Sequence, residues 1–196
     1  MLVRHFPRRD YEASAILYCF DVGQLEKGNF MRYYISDLHF FHESLNTQMD
    51  CRGFKDVAQM NAYMIKGNHD RYLKESEFNK ERFVWIKPYA EMHDNRRKVV
   101  LSHYPIFCFN GQYRRNKKGE PLTYMLYGHV HDTLDEQLVR QFCQITRQTK
   151  KQGKYDEEPM PIPCNMINCF CMYSDYIPRT LDEWIDYYSL EGDRRK

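Results

Sequence analysis

Short apolar segments of the chain repeatedly end in polar residues. Three of these segments are rich in aromatic or β-branched residues and are therefore predicted strands, over 31–36, 98–101 and 122–127. Asp37, Ser102-His103 and Gly128-His129 follow them directly. Polar residues at strand ends are the usual place for a site in layered α/β proteins, and this is the fold class we predict.

Two helices are predicted in the C-terminal half of the chain. Thr133 with Glu136, and Thr180 with Glu183, have the spacing of a capping box, and apolar residues follow each pair with helical period. Further strands are predicted over 83–86, 89–92 and 166–172, with a turn at Asp94-Asn95.

The segment before Gly67 has two interpretations. A helix capped by Asp56 would carry four apolar residues on one face, namely Val57, Met60, Met64 and Ile65. However, the polar stretch Gly67-Asn68-His69-Asp70 begins only two residues after Ile65. The alternative is a very short helix followed by a strand over 63–65, and local propensity does not decide between the two.

The domain organisation predicted from the pattern is simple. Residues 1–30 show no clear period, so we expect an N-terminal extension that is either disordered or added by an upstream start. One domain is expected over 31–190, followed by a tail over 191–196, and a length of 196 residues fits a single domain.

Composition narrows the class of protein. With 42% hydrophobic and 15% aromatic residues the chain can build a core, which argues against general disorder. A formal charge of +2 on a chain with 29% charged residues gives no overall attraction to nucleic acid or to a membrane. No apolar stretch approaches the roughly 18–20 residues that span a bilayer. We therefore predict a soluble cytoplasmic protein without membrane partners.

Cysteine usage agrees with a reducing compartment. The chain has seven cysteines, an odd number, with no secretory signal ahead of them, so free thiols are expected. Cys164, Cys169 and Cys171 are clustered but lack the paired spacing of a zinc site. They are predicted to be buried thiols on a strand.

The polar clusters contain metal-ligand residue types. Asp37-x-His39 and His129-x-His131 have a two-residue spacing, which on extended backbone directs both side chains of a pair to the same side. Imidazole and carboxylate suit Zn, Mn, Fe or Ni better than Mg or Ca. A single histidine would be read as an ordinary surface or core residue, but clusters at four predicted strand ends favour a metal site.

Taken in order, these clusters resemble the motifs of the calcineurin-like metallophosphoesterases, particularly their small prokaryotic and phage-type members. The resemblance extends from Met31 to about Leu190. It depends on residues 35–40 (ISDLHF), 67–70 (GNHD), 101–105 (LSHYP), 126–131 (LYGHVH) and 178–183 (PRTLDE).

The resemblance implies a β-sandwich flanked by helices, with a site for two divalent transition metals. The implied ligands are Asp37, His39 and His131 for the first metal, and Asn68, His103 and His129 for the second. His69 would be the general acid that protonates the leaving oxygen, with Asp70 tuning it. The implied reaction is hydrolysis of a phosphomonoester or phosphodiester, including nucleotides, by a metal-activated hydroxide that attacks phosphorus in line.

One part of the family pattern is missing. The family has a strand ending in Gly-Asp before the Gly-Asn-His loop, and its Asp bridges both metals, whereas this chain passes directly from residues 60–66 to Gly67. Loss of this βα unit is expected to leave a gap or an altered neighbour in the sheet. Two dications about 4 Å apart repel by roughly 16 kcal/mol at an effective dielectric constant of about 20, and Asp37 would be the only carboxylate against them. The second metal is expected to suffer most.

Two other functions are compatible with the sequence. The missing Asp raises the alternative of a catalytically inactive member that binds phosphate or a nucleotide, or is vestigial, and keeps one metal or none. A nucleic-acid-binding module would use the basic run at 114–118 with Tyr113 and Tyr124. The even overall charge and the lack of a known binding motif disfavour this second alternative.

Overall fold

The structure is a computed structural model that describes residues 17–25, 29–37, 60–68, 70–74, 76, 78–153 and 156–194. The strands are β1 (Leu17–Leu25), β2 (Asn29–Ser36), β3 (Met60–Ile65), β4 (Phe83–Lys87), β5 (Tyr89–Asp94), β6 (Arg97–Ser102), β7 (Thr123–Tyr127), β8 (Lys150–Lys151), β9 (Met160–Pro161), β10 (Met166–Asn168) and β11 (Arg179–Thr180). The helices are α1 (Leu134–Gln148) and α2 (Leu181–Arg194). Among these residues, no helix combines the length and the apolar character needed to cross a membrane.

The longer strands form two sheets. One has the order β11-β2-β1-β3-β4 and the other the order β10-β7-β6-β5, while β8 and β9 pair with each other. In the second sheet β6, β7 and β10 are parallel, and β5 pairs with β6 in the antiparallel sense. The predicted mixed α/β class is confirmed.

The core lies between the sheets and on their outer faces. Tyr34 and Ile65 of the first sheet share one buried cluster with Leu101 of the second sheet and Trp184 of α2. Val100, whose side chain points the other way because successive residues of a strand alternate, belongs instead to the cluster that packs against α1. The apolar runs in β6 and β7 are therefore strands covered on both faces, as their lack of alternation predicts.

The first strand changes the predicted domain organisation. The sequence predicts an extension over 1–30, yet β1 lies inside the five-stranded sheet and is antiparallel to both β2 and β3. Its first residue, Leu17, pairs with Ser36 on one side and with Ile65 on the other. A gap or an altered neighbour is expected in the sheet, and the structure has an altered neighbour. β2 and β3 run parallel to each other, and β1 lies between them and runs in the opposite direction. Asp21 and Gly23 interrupt the apolar pattern, so pairing on both sides, rather than local propensity, makes this segment a strand.

The ambiguous segment before Gly67 is a strand. β3 pairs with β1 and, in the parallel sense, with β4. Met64 and Ile65 are both buried, on opposite faces of the sheet. The helical alternative is therefore wrong for residues 60–65, and the predicted cap at Asp56 lies outside the described residues.

The two predicted helices are present, and their first turns differ. At α2 the capping box is complete, because Thr180 N donates to Glu183 Oε2 at 2.8 Å and Glu183 N donates to Thr180 Oγ1 at 3.3 Å. At α1, Thr133 Oγ1 accepts from Asp135 N at 3.3 Å, whereas the carboxylate of Glu136 turns into the core. The predicted box at Thr133 is thus only half formed.

The cysteine cluster is buried as predicted, but none of its three cysteines lies in a strand. Cys164, Cys169 and Cys171 have no exposed surface, and all three are free thiols. The strand predicted over 166–172 ends at Asn168, and the following residues turn into a 3-10 helix at Cys171–Ser174. This early end places residues 169–171 beside the end of β2.

Candidate functional site

Four strand ends meet at one edge of the two sheets. Ser36 N, at the end of β2, donates to Cys169 O at 2.7 Å, and Cys169 N donates to Tyr127 O at the end of β7 at 2.8 Å. Gly128 N then donates to His103 O, just after β6, at 3.1 Å. These backbone bonds bring the residues that follow β2, β6 and β7 together, and contacts of Asn68 add the end of β3.

Asp37 is the buried acid of the site. Its side chain is 1% exposed and accepts hydrogen bonds from Ser36 Oγ at 2.8 Å and from His129 N at 3.0 and 3.2 Å. A buried carboxylate is costly unless such donors compensate it. Its backbone oxygen accepts from the thiol of Cys171 at 3.2 Å. Burial, with a contribution from Asp37, raises the pKa of Cys171 to about 12, so this thiol stays protonated and remains a donor.

His131 lies beside Asp37. Its Nε2 atom is 3.6 Å from Asp37 Oδ1, and its ring stacks on Phe170 with 4.8 Å between the ring centroids. The neighbouring Asp37 carboxylate raises the pKa of His131, and partial burial opposes the rise. The two side chains that the resemblance assigns to the first metal, and that the structure describes, are thus adjacent.

Asn68, His103 and His129 form a second group. His103 is 1% exposed, and its Nε2 atom is 2.6 Å from Asn68 Oδ1, which makes Nε2 the protonated nitrogen in this arrangement. The rings of His103 and His129 meet edge to face with 4.8 Å between their centroids. Tyr104 packs edge-on against both, at 4.7 and 4.5 Å. All three residues implied for the second metal therefore lie together.

The backbone of the site is strained. Asp37, His129 and His131 have φ angles of 56°, 70° and 48°, a region that costs a non-glycine residue about 1–3 kcal/mol. Gly128 is required by close approach instead, because a Cβ atom there would lie 2.6 Å from Asp37 Oδ2 and 2.7 Å from Ser36 Oγ. Strain of this kind persists only where surrounding contacts fix it, and it is concentrated in functional sites.

The structure does not show a place in these two groups for three predicted site residues. His39 and His69 lie outside the described residues. Asp70 is buried, and its carboxylate accepts from the backbone N–H of Gly67, so it fixes the loop after β3. The tuning of His69 by Asp70 stays a prediction.

The donor atoms suit a transition metal in kind. Asp37 and His131 would hold the first ion, while Asn68, His103 and His129 would hold the second, using one carboxylate, one amide oxygen and three imidazoles. Within the described ranges, no three His, Cys, Asp or Glu side chains form a group arranged to hold a metal. Of the three ligands implied for the first metal, the structure describes two, Asp37 and His131. The third, His39, lies outside the described residues.

Several residues that shape the site carry no signal in the sequence pattern. Phe170 supports the ring of His131, and Cys171 holds the backbone of Asp37, but both lie inside the strand predicted over 166–172, which contains no polar motif. Ser36 and Gly128 do stand next to predicted ligands. Ser36 donates a hydrogen bond to Asp37, and Gly128 leaves space for the Asp37 carboxylate. Both roles depend on how the ends of β2 and β7, which are distant in sequence, approach each other.

The Asp37–His131 pair predicts a pH dependence in metal-free protein. The pKa of His131 is raised in the folded state from its ordinary value of 6.5, so the pair stabilises the fold fully below that pH. The contribution is lost as the pH rises through the folded-state pKa. We expect His131→Gln to lower the free energy of unfolding more at pH about 5.5 than at pH about 8.5, measured by urea denaturation in EDTA.

The stabilisation that a bound metal provides should depend on pH in the opposite direction to that of the Asp37–His131 pair. Because imidazole ligands must be deprotonated, stabilisation by added Mn²⁺ is expected to grow with pH in the wild-type chain. Comparing the wild type with His131→Gln at each pH cancels the titration of all other groups. A stability difference that is the same at both pH values would contradict the proposed pairing.

The assignment of this site depends on its residues and geometry alone. Five of the implied ligands come from four strand ends and lie at one edge of the sheets. Comparisons of the chain with protein-family models, with curated proteins and with solved structures found no match.

Proposed function

We propose that the chain is a metal-dependent phosphoesterase that hydrolyses a phosphomonoester or phosphodiester, with a fold and site like those of calcineurin-like metallophosphoesterases. One observation carries the proposal. Side chains from four separate strand ends, widely spaced in sequence, converge at one edge as two adjacent groups of residues whose donor atoms suit a metal. Surface or core histidines placed for unrelated reasons would not be expected to assemble with Asp37 and Asn68 in this way.

The residues have distinct roles in the proposed site. Asp37 provides negative charge and, through His129 N, fixes the loop that carries two of the histidines. Asn68 orients the ring of His103 by accepting a hydrogen bond from its Nε2 atom. When bound, divalent metals would stabilise charge on the phosphoryl oxygens and make a water molecule acidic enough to attack near neutral pH. The resemblance assigns protonation of the leaving oxygen to His69.

A second candidate function is supported by the altered sheet. β1 separates β2 from β3 and runs opposite to both, so its last residue lies at the far edge from the site. A strand parallel to β2 and β3 in that position would end at the site instead. The three described residues of the second group, Asn68, His103 and His129, include no carboxylate. This favours, as the alternative, an inactive protein that binds a phosphate group or a nucleotide with one metal or none.

Hydrolysis and metal content separate these functions. The full-length chain, loaded with Mn²⁺, is expected to hydrolyse bis(p-nitrophenyl) phosphate and to bind two equivalents of metal. His103→Ala removes an implied ligand and the partner of Asn68 Oδ1. We expect it to lower the hydrolysis rate about 100-fold or more, because loss of a ligand weakens metal binding more than the loss of an outer contact.

A matched control is available in the second sheet. His93 is an exposed histidine on β5, so His93→Ala changes the same residue type away from the site and should hydrolyse the ester like the wild type. One equivalent of metal or less, without turnover, would reject the phosphoesterase and leave the binding protein. Equal losses in both variants would show that His103 has no special part in the reaction.

A further inference from the structure

The backbone of His131 is held by a buried amide that no predicted motif contains. His131 adopts a φ angle of 48°, which a non-glycine residue keeps only under constraint. Asn168 Nδ2, at the end of β10, donates to His131 O at 2.8 Å. Asn168 is completely buried, so this bond cannot be exchanged for one to solvent. The carbonyl of a strained residue is thus fixed by a neighbouring strand.

The same amide group is oriented by a buried carboxylate. Asn168 Nδ2 also donates to Glu136 Oε2 at 3.1 Å, and Glu136 on α1 is 1% exposed. Both partners of this nitrogen are acceptors, which settles which end of the amide is the NH₂ group. Glu136 therefore holds the Asn168 side chain in the orientation that reaches His131.

Glu136 is in turn compensated by donors from three elements. Tyr127 Oη, at the end of β7, donates to Oε2 at 2.7 Å, and Arg140 Nε donates to Oε1 at 2.8 Å from the next turn of α1. Burial raises the pKa of Tyr127 well above its usual range, so its hydroxyl remains a donor. Tyr188 Oη of α2 lies 3.4 Å from Oε1 and accepts from Asn168 N at 2.9 Å. These donors satisfy both oxygens of the buried carboxylate.

We propose that Asn168, oriented by Glu136, is a positioning residue that holds His131 next to Asp37 and so sets the metal affinity of the site. This inference rests on the proposed function. Asn168 acts through the backbone carbonyl of His131, and Glu136 acts through Asn168. The ring of His131 then lies between Phe170, two residues beyond Asn168, and the Asp37 carboxylate. Outer contacts of this kind typically change metal affinity by about 10–100-fold.

Asn168→Leu tests the proposal, since leucine has nearly the shape of asparagine but cannot donate to His131 O. We expect its affinity for Mn²⁺, measured by electron paramagnetic resonance of the free ion well below the melting temperature, to fall about 10-fold or more. We also expect faster hydrogen exchange in the peptide over 128–133, measured in EDTA. The second measurement reports on the loop without any metal.

Tyr34→Phe is the matched control. It removes a buried hydrogen bond as well, from Tyr34 Oη to Asp94 Oδ2 at 2.8 Å, but far from His131. A merely structural role for Asn168 predicts that both variants lower the melting temperature and bind Mn²⁺ as the wild type does. That outcome, or unchanged exchange over 128–133 in Asn168→Leu, would overturn the positioning role.

A second variant covers failure of Asn168→Leu to fold. Glu136→Gln has the same size but places an NH₂ group among donors, so it loosens the Asn168 amide and is expected to weaken Mn²⁺ binding several-fold. Mn²⁺ affinity equal to the wild type in Glu136→Gln would then overturn the proposal.

If the wild-type chain itself binds no Mn²⁺, the proposed function fails and the positioning role fails with it. The wild-type chain could instead bind Mn²⁺ and hydrolyse the ester while Asn168→Leu leaves the Mn²⁺ affinity unchanged. That result would reject the positioning role and leave the proposed function standing.

Discussion

A chain that begins at Met31 is expected not to fold. It lacks β1, which has seven registered residue pairs with β2 and six with β3. At about 1 kcal/mol net for each hydrogen bond, loss of this double ladder removes on the order of 10 kcal/mol, as much as the whole stability of a typical domain. Two strand edges and the buried side chains beside Cys19 would also be exposed to water.

Circular dichroism and hydrogen exchange of the purified chain measure this loss. The truncated chain is expected to lack a cooperative unfolding transition and to have unprotected amides in β2 and β3. A chain that lacks only residues 1–10 keeps the whole of β1 and separates loss of the strand from loss of length. The chain that begins at Met31 could instead unfold cooperatively and be as stable as the 196-residue chain. That result would show that β1 does not support the sheet.

Gly128→Ala is expected to remove metal binding from a chain that still folds. The new Cβ atom would lie 2.6 Å from Asp37 Oδ2 and 2.8 Å from Ser36 Cβ, distances at which something must move. Asp37 is the part that yields, because its carboxylate is held by hydrogen bonds and not by the backbone ladder. Overpacking of this kind costs about 1–3 kcal/mol. Displacement of the only carboxylate among the described ligands should weaken Mn²⁺ binding about 100-fold.

Gly119→Ala is the control for this substitution. Gly119 has a φ of +84° and nothing within 4 Å of its Cβ position, so alanine there meets backbone strain but no clash. The melting temperature and the Mn²⁺ affinity of both variants, measured side by side, separate general destabilisation from displacement of Asp37. Equal Mn²⁺ affinity in Gly128→Ala and in the wild type would contradict the close packing of Gly128 on Asp37.

Local patterns predicted those elements whose residues carry their own signals. The strands that end at Ser36, Ser102 and Tyr127 are short apolar runs stopped by polar residues. The start of α2 is specified by Thr180 and Glu183, which satisfy each other's backbone N–H groups within a single turn. At α2 the capping interaction lies within the helix, and at the three strands the apolar run and the polar residue that ends it mark the element, so the local sequence is sufficient to locate them.

The errors occurred where distant pairing decides the structure. Met60–Ile65 has a helical pattern, yet it becomes a strand because β1 and β4 supply partners on both sides. Glu136 has the position of a capping residue, but its carboxylate turns inward to donors on β7 and β10 that a local pattern does not contain. The same holds for the site. The two-residue spacings indicated Asp37 and His131 as candidates on extended backbone, yet both residues have positive φ angles in the structure, and no local pattern gave a sign of Asn168.

The neighbours of β2 also set the order in which the sheet can be completed. β1 is separated from β2 by residues 26–28, so their pairing needs little loop closure. The other neighbour is β11, which pairs through Arg179 and Thr180, and Trp184 Nε1 then donates to Tyr34 O at 3.0 Å. At ribosomal rates this last strand emerges on the order of ten seconds after β2. The strand that carries Asp37 therefore finds its first partner early in synthesis, and it waits for its second until residues 37–178 have been made.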